Sequence, residues 1–159
     1  MPRMRPLLRL RARITLLVSL ILGLALLVTG VLVDWKMEQQ ARQVLGDKVI
    51  LLSRVMAEAD TVREGLAGQR PTGQIQELAE RIRTEAAVDY VVVMDMNGLR
   101  LSHPNPALIG ARFVGGDDAN VYRGQSYLSV AQGTLGVSLR AFTPVRQGDR
   151  QVGAVAVGL

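Results

Sequence analysis

The chain has 159 residues, which suits one domain and leaves little room for two. It contains no cysteine and one histidine, so disulfide scaffolds, thiol catalysis, iron–sulfur clusters and multi-histidine metal sites are excluded. The net charge of +5 comes from five arginines within residues 1–13, because residues 14–159 hold equal numbers of basic and acidic side chains. The excess charge is confined to a short tail, which argues against a basic face for nucleic acid.

Residues 14–33 carry no charge and are long enough, as a helix, to span roughly 30 Å of bilayer hydrocarbon. The positive-inside rule then predicts a cytoplasmic basic tail at 1–13, a transmembrane helix at 14–33 and an extracytoplasmic domain at 34–159. A cleavable signal peptide is the alternative. Its apolar core is usually shorter and ends in a small-x-small site, and this segment departs from both features.

The segment from Asp34 to Ala67 has no proline and only isolated glycines, so it is predicted as one long helix. Apolar residues recur along it with spacings of four and three: Leu45, Val49, Leu52, Met56 and Ala59. This stripe either continues as a dimer seam or packs on the domain's own sheet, and both interpretations stay open. After a turn at residues 68–73, a second helix presents an amphipathic pattern from Ile75 to Ala86.

Five strands are predicted beyond the second helix: Tyr90–Met94, Leu99–Ser102, Gln125–Val130, Val137–Val145 and Gln151–Val157. The first two should form a hairpin through the turn at residues 95–98, and the prolines after His103 should end the second. A long loop at residues 104–118 follows. The fold class is therefore α+β, with a five-stranded antiparallel sheet covered by helices on one face.

Side chains alternate in direction along these strands, and two strands carry polar residues opposite their apolar face. These are Arg100 and Ser102 on one strand, and Ser138, Arg140 and Phe142 on the other. With His103 nearby and the loop folded over this face, they would form a cationic pocket for a small anion with more than one carboxylate. Each arginine taken alone has a simpler interpretation as a solvated surface residue.

The stretches Tyr90–Gly110, Gly133–Val145 and Val152–Gly158 resemble the extracytoplasmic sensor sheet of the DcuS/CitA family, and the resemblance runs from about Ala41 to the end. That family comprises bacterial sensor histidine kinases for citrate and four-carbon dicarboxylates. The resemblance implies a PAS-like, single Cache fold. It also implies a set of ligand-binding residues: Arg100, His103 and Arg140 for the carboxylates, Ser138 and the loop amides at Gly115, Gly116 and Asp117 in support, and Ser102 and Phe142 beside them.

Phe142 stands where citrate sensors of this family tend to carry lysine and dicarboxylate sensors tend to carry phenylalanine. One cation fewer suits one carboxylate fewer, which favours malate, fumarate or succinate over citrate. Arg112 or Arg123 could restore the missing charge, and this keeps citrate open.

The sequence contains neither a Gly-rich ATP lid nor a phosphoacceptor-histidine helix, so we expect no catalysis from this chain and no cofactor or metal. The resemblance implies a homodimer in the bacterial inner membrane that reaches a cytoplasmic response regulator only through a kinase region absent here, with no nucleic-acid partner. Two alternatives keep the fold. The module could belong to a chemoreceptor or cyclase, or it could be a membrane-tethered interaction domain that only dimerises.

Overall fold

The computed structural model describes the backbone of residues 5–159 and the side chains of residues 13–32, 35–36 and 43–159. The chain divides into two units, one ending at Gln43 and a compact one formed by Val44–Leu159. A single helix, α1, runs from Arg5 to Glu58 and belongs to both. Within it, Arg13–Leu32 has a mean hydropathy of 2.6 and no buried residue, so it is long and apolar enough to cross a membrane.

The prediction of one helix continuing to Ala67 is wrong, because α1 ends at Glu58 and a second helix, α2, spans Asp60–Leu66. Ala59 between them is extended, with φ −64° and ψ 128°. No proline or glycine causes this break. The change of direction buries Val62 and Gly65, and Gly65 then lies against the Ile75 side chain of the next helix. Tertiary packing here outweighs the local helical preference.

The next helix, α3, spans Gly73–Glu85 and buries Ile75 and Ala79, in agreement with its amphipathic pattern. Four strands follow: β1 (Tyr90–Asp95), β2 (Tyr127–Gly133), β3 (Gly136–Gln147) and β4 (Arg150–Gly158). They form one antiparallel sheet in the order β1-β4-β3-β2. The α+β class is therefore confirmed, but the described part of the sheet has four strands and not five.

The predicted strand Leu99–Ser102 is the missing one. It makes only isolated bridges, between Met94 and Arg100 and between Leu99 and Arg112. Its Ser102 hydroxyl takes the place of backbone pairing, since it accepts from the N–H of Val93 at 2.8 Å and donates to the carbonyl of Val91 at 3.1 Å. A side chain thus occupies the free edge of β1, and the ladder cannot continue along this segment.

The two faces of the sheet carry two separate apolar clusters. On one face, the helices pack on residues that include Val91, Val93, Ala141, Val145, Val155 and Val157. From α1, the residues Val49, Leu52 and Met56 belong to this cluster, whereas Leu45 is 44% exposed. Of the two open interpretations, packing on the domain's own sheet therefore holds for these three positions. The opposite face is covered by the connection between β1 and β2.

On that opposite face, the C-terminal part of β4 presents three small residues: Ala154, Ala156 and Gly158. Gly158 pairs with Tyr90 on one side and with Arg140 on the other. A Cβ at Gly158 would overlap the ring of Tyr90. The missing side chain lets the aromatic ring of Tyr90 lie across the end of β4, next to Arg140.

Candidate functional site

A small cavity of about 20 Å³, partly open to solvent, lies on the face of the sheet opposite the helices. Four predicted site residues line it: Arg100, His103, Ser138 and Arg140. The remaining walls come from three places: Tyr90 and Val92 on β1, Phe113 and Val114 in the long loop, and residues 133–136 at the β2–β3 turn. The fold therefore brings Arg140 next to Arg100 and His103, which precede it by 40 and 37 residues in the sequence.

Arg100 is buried with 2% of its surface exposed, yet its Nε and Nη1 have no hydrogen-bond partner among residues 13–32, 35–36 and 43–159. Its guanidinium carbon lies 5.9 Å from the ring centre of Phe113. Burial without a counter-ion lowers the pKa of Arg100 below its ordinary value. A buried cation with free N–H donors is costly, and an anion in the cavity would relieve that cost.

Arg140 is held on two sides. Its Nη1 forms an ion pair with Oδ1 of Asp117 at 3.0 Å, and its Nη2 donates to the carbonyl of Ala131 at 2.7 Å. Its Nε is buried without a partner within the described side chains. A Cβ at Gly115 or Gly133 would collide with this guanidinium, so two glycines make the space that it occupies.

His103 is 3% exposed, and its ring is oriented by its own loop. Nδ1 lies 2.9 Å from the backbone nitrogen of Asn105 and 3.1 Å from its carbonyl oxygen, so the backbone of Asn105 fixes the orientation of the ring. Nε2 lies 3.4 Å from the hydroxyl of Thr134 in the β2–β3 turn. Burial, followed by the charge of Arg100, lowers the pKa of His103. The lowered pKa favours the neutral form of the imidazole at neutral pH.

Ser138 lines the cavity beside Tyr90, and their hydroxyl oxygens lie 3.2 Å apart. Burial raises the pKa of Tyr90, against the smaller opposing effect of the Ser138 hydrogen bond. Both hydroxyls therefore stay protonated at neutral pH, and each can donate one hydrogen bond to a neighbour or to an anion.

Other predicted site residues lie behind the cavity wall. The hydroxyl of Ser102 is used by the β1 backbone, as described above. Phe142 is fully buried, stacked on Tyr127 with ring centres 5.0 Å apart and edge-on to Phe113 at 5.7 Å. Gly115 touches Arg140, Gly116 is exposed, and Asp117 meets the site through the guanidinium of Arg140.

Four contributions were not identified from the sequence. Tyr90 and Phe113 line the cavity, as does the β2–β3 turn, and Gln76 of α3 binds the backbone of His103. Tyr90 begins an apolar run that reads as buried core, and alternation along β1 could have placed it on the face of Arg100. No local pattern points to Gln76, because its partner lies 27 residues away.

No group of three or more metal-ligating side chains occurs in the part of the chain whose side chains are described. The arrangement of the cavity is instead that of an anion site. Two buried guanidinium groups, one imidazole and the hydroxyls of Tyr90, Thr134 and Ser138 surround it. Such donors match carboxylate oxygens in charge and geometry.

Comparison with known proteins gives the family of this domain. The family model "single cache domain 3" matches residues 36–159. The sensor histidine kinase DcuS of Shigella flexneri is 34% identical over 158 residues, 99% of this chain and 29% of the relative. A probable C4-dicarboxylate sensor kinase of Bacillus subtilis is 32% identical over 152 residues, 95% of this chain and 28% of the relative. The chain thus spans less than a third of the length of these curated relatives.

The fold is also that of a solved sensor domain. The crystal structure of the E. coli DcuS sensor domain superposes with a TM-score of 0.70 at 34% identity, covering 76% of this chain and 91% of that one. The chain belongs to the single cache domain 3 family, and its PAS-like sensor domain is related to those of the DcuS/CitA-type sensor histidine kinases.

Proposed function

We propose that this chain is the membrane-anchored sensor region of a histidine kinase and that its extracytoplasmic domain binds a small dicarboxylate. The observation that carries the proposal is the pair of buried arginines, Arg100 and Arg140, that keep unpaired N–H donors at one cavity. Buried cations of this kind are stabilised by a paired anion. The name of the Bacillus subtilis relative, a probable C4-dicarboxylate sensor kinase, supports the same ligand class.

The preference for malate, fumarate or succinate over citrate rests on the number of cations at the cavity. Arg112 and Arg123 are the two arginines that could have supplied a further charge, and both are exposed and absent from the cavity lining. Arg123 instead contacts the side chain of Asn120. Phe142 is packed among aromatic rings and adds no charge. A ligand with two carboxylates fits this count better than a ligand with three.

The proposal includes a membrane topology. Residues 1–13 form a cytoplasmic basic tail, residues 14–33 a transmembrane helix and residues 34–159 the extracytoplasmic sensor. The support is the arginine-rich tail and the apolar, unburied span Arg13–Leu32. In this arrangement the domain acts as a homodimer in a bacterial inner membrane, and its response regulator is reached through a kinase region outside this chain.

The binding test is calorimetric titration of the full 159-residue chain in detergent micelles with malate, fumarate, succinate and citrate. Arg100→Ala should weaken dicarboxylate binding by roughly 30-fold or more, because a desolvated carboxylate loses its charged partner. Arg112→Ala is the matched control, since it removes an exposed arginine of the same region and should leave affinity unchanged. A folded wild-type chain that binds none of the four acids would contradict the proposal.

A further inference from the structure

Asp117 is not among the residues that line the cavity, yet its carboxylate forms an ion pair with Arg140, which does line it. Its Oδ1 binds Nη1 of Arg140 at 3.0 Å, and the Asp117 side chain is 15% exposed against 1% for Arg140. Val114, three residues earlier in the same loop, lines the cavity, whereas Asp117 does not. The carboxylate therefore contacts the guanidinium at Nη1 from outside the set of residues that line the cavity.

The rest of the loop is built to keep this carboxylate in place. The hydroxyl of Tyr127, on β2, donates to the backbone carbonyl of Asp117. Gly115 has φ +151° and lies so close that a Cβ there would overlap both Nη1 of Arg140 and Oδ1 of Asp117. The hydrogen bond from Tyr127 anchors the backbone of Asp117, and the missing side chain at Gly115 leaves room for the ion pair with Arg140.

The ion pair determines which donors of Arg140 remain available. Nη1 is taken by Asp117 and Nη2 is bonded to the carbonyl of Ala131, which leaves Nε as the buried nitrogen without a partner. A long, flexible arginine would otherwise lose rotamer freedom each time that it met a ligand. Because Nη1 and Nη2 are already bonded, the conformational entropy of this side chain is lost when the domain folds and not when the ligand binds.

We infer that Asp117 is a positioning residue of the carboxylate site, which acts through Arg140 by fixing the orientation of its guanidinium toward the ligand. This inference rests on the function proposed above. It concerns the side-chain carboxylate of Asp117, whereas the resemblance implied a role for its backbone amide. The side chain at position 117 must offer an oxygen acceptor, because its hydrogen bond with Nη1 of Arg140 sets the direction of the guanidinium plane.

The test compares two substitutions by calorimetry with succinate, on the full chain in detergent micelles. Asp117→Ala removes the acceptor and should lower affinity by about tenfold, because the orientation of Arg140 is lost. Asp117→Asn keeps an oxygen acceptor and should recover most of that affinity. Asp118→Ala is the control from the same loop and should bind as the wild type does. Asp117→Ala binding as tightly as the wild type, or more tightly, would overturn the inference.

A second measurement needs no ligand and separates this inference from the proposed function. The Nε–H resonance of Arg140, followed by nitrogen-15 NMR, should be single and narrow in the wild type and in Asp117→Asn. It should broaden in Asp117→Ala, and also in Gly115→Ala, which keeps the charge but forces a methyl group between the partners. Unchanged resonances in both variants would refute the positioning role, whereas failed succinate binding by the wild type would refute the proposed function.

Discussion

The side-chain amide of Gln76 binds both backbone polar groups of His103: its Nε2 donates to the carbonyl oxygen at 3.0 Å, and its Oε1 accepts from the N–H at 2.9 Å. This contact joins α3 to the loop that carries the only histidine of the chain. A side-chain amide here replaces the strand pairing that the loop lacks. The position of His103 at the cavity therefore depends on a helix on the other side of β1.

Gln76→Ala should lower succinate affinity several-fold and reduce the free energy of unfolding by about 1 kcal/mol, because two hydrogen bonds to a partly buried backbone are lost. Calorimetry and thermal unfolding measure the two effects. Gln74→Ala provides the control, since Gln74 is exposed on the same helix. Equal affinity of Gln76→Ala and wild type would show that the loop holds His103 unaided.

Ser102→Ala should destabilise the domain by about 1–3 kcal/mol and leave the succinate affinity of the folded protein unchanged. The fully buried hydroxyl satisfies the N–H of Val93, and the methyl group of alanine cannot replace it. Chemical unfolding gives the stability, and calorimetry well below the melting temperature gives the affinity. A large loss of affinity with unchanged stability would instead return Ser102 to the set of direct ligand contacts.

The affinity for fumarate should increase as pH falls from about 8 to about 6, with uptake of protons on binding. Burial and the charge of Arg100 lower the pKa of His103, which favours the neutral ring in the free protein. A bound dianion favours the charged ring and raises that pKa, so binding tightens as pH drops through the bound-state value. The increase levels off below the free-state value.

His103→Gln separates the charge of this residue from its hydrogen bond. Glutamine can donate a hydrogen bond but cannot take up a proton in this range. We expect the variant to bind fumarate at high pH with a modest loss and to show no gain on acidification. Calorimetry in buffers with different ionisation enthalpies measures the proton uptake directly. A pH dependence that persists in His103→Gln would assign the titration to another group.

Gly158→Ala should destabilise the domain by roughly 1–3 kcal/mol and weaken succinate binding, because the new methyl group forces the Tyr90 ring away from β4. Gly73→Ala is a suitable comparison, since a Cβ at that helical position has open space around it. Thermal unfolding and calorimetry read the two effects. Unaltered binding by Gly158→Ala would mean that Tyr90 adjusts without narrowing the cavity.

Predictions from the sequence are correct where local periodicity determines the structure. Alternation along β3 correctly gave Ser138, Arg140 and Phe142 a common face, and it correctly gave the apolar residues between them to the helix side. The other three strands and α3 were also predicted close to their observed bounds. These features depend on whether neighbouring side chains lie in water or in the core, which the sequence records directly.

The errors occur where distant contacts decide. Ala59 breaks the long helix because α2 gains burial against α3, and nothing at Ala59 itself disfavours helix. The segment Leu99–Ser102 has the composition of a strand, but the hydroxyl of Ser102 occupies the edge of β1. The β2–β3 turn lines the cavity because of the sheet order, which pattern analysis did not provide.

The contact of Tyr90 with Gly158 has a consequence for how such a receptor can diversify. Under the proposed function, the cations that pair with the ligand come from β3 and from the segment after β1, whereas the ring of Tyr90, packed on Gly158 of β4, bounds part of the space for its carbon skeleton. The preference for the length of the ligand's carbon chain and the preference for its charge then depend on different residues. A substitution in a related protein can therefore change the preference for ligand length and leave the preference for ligand charge unchanged.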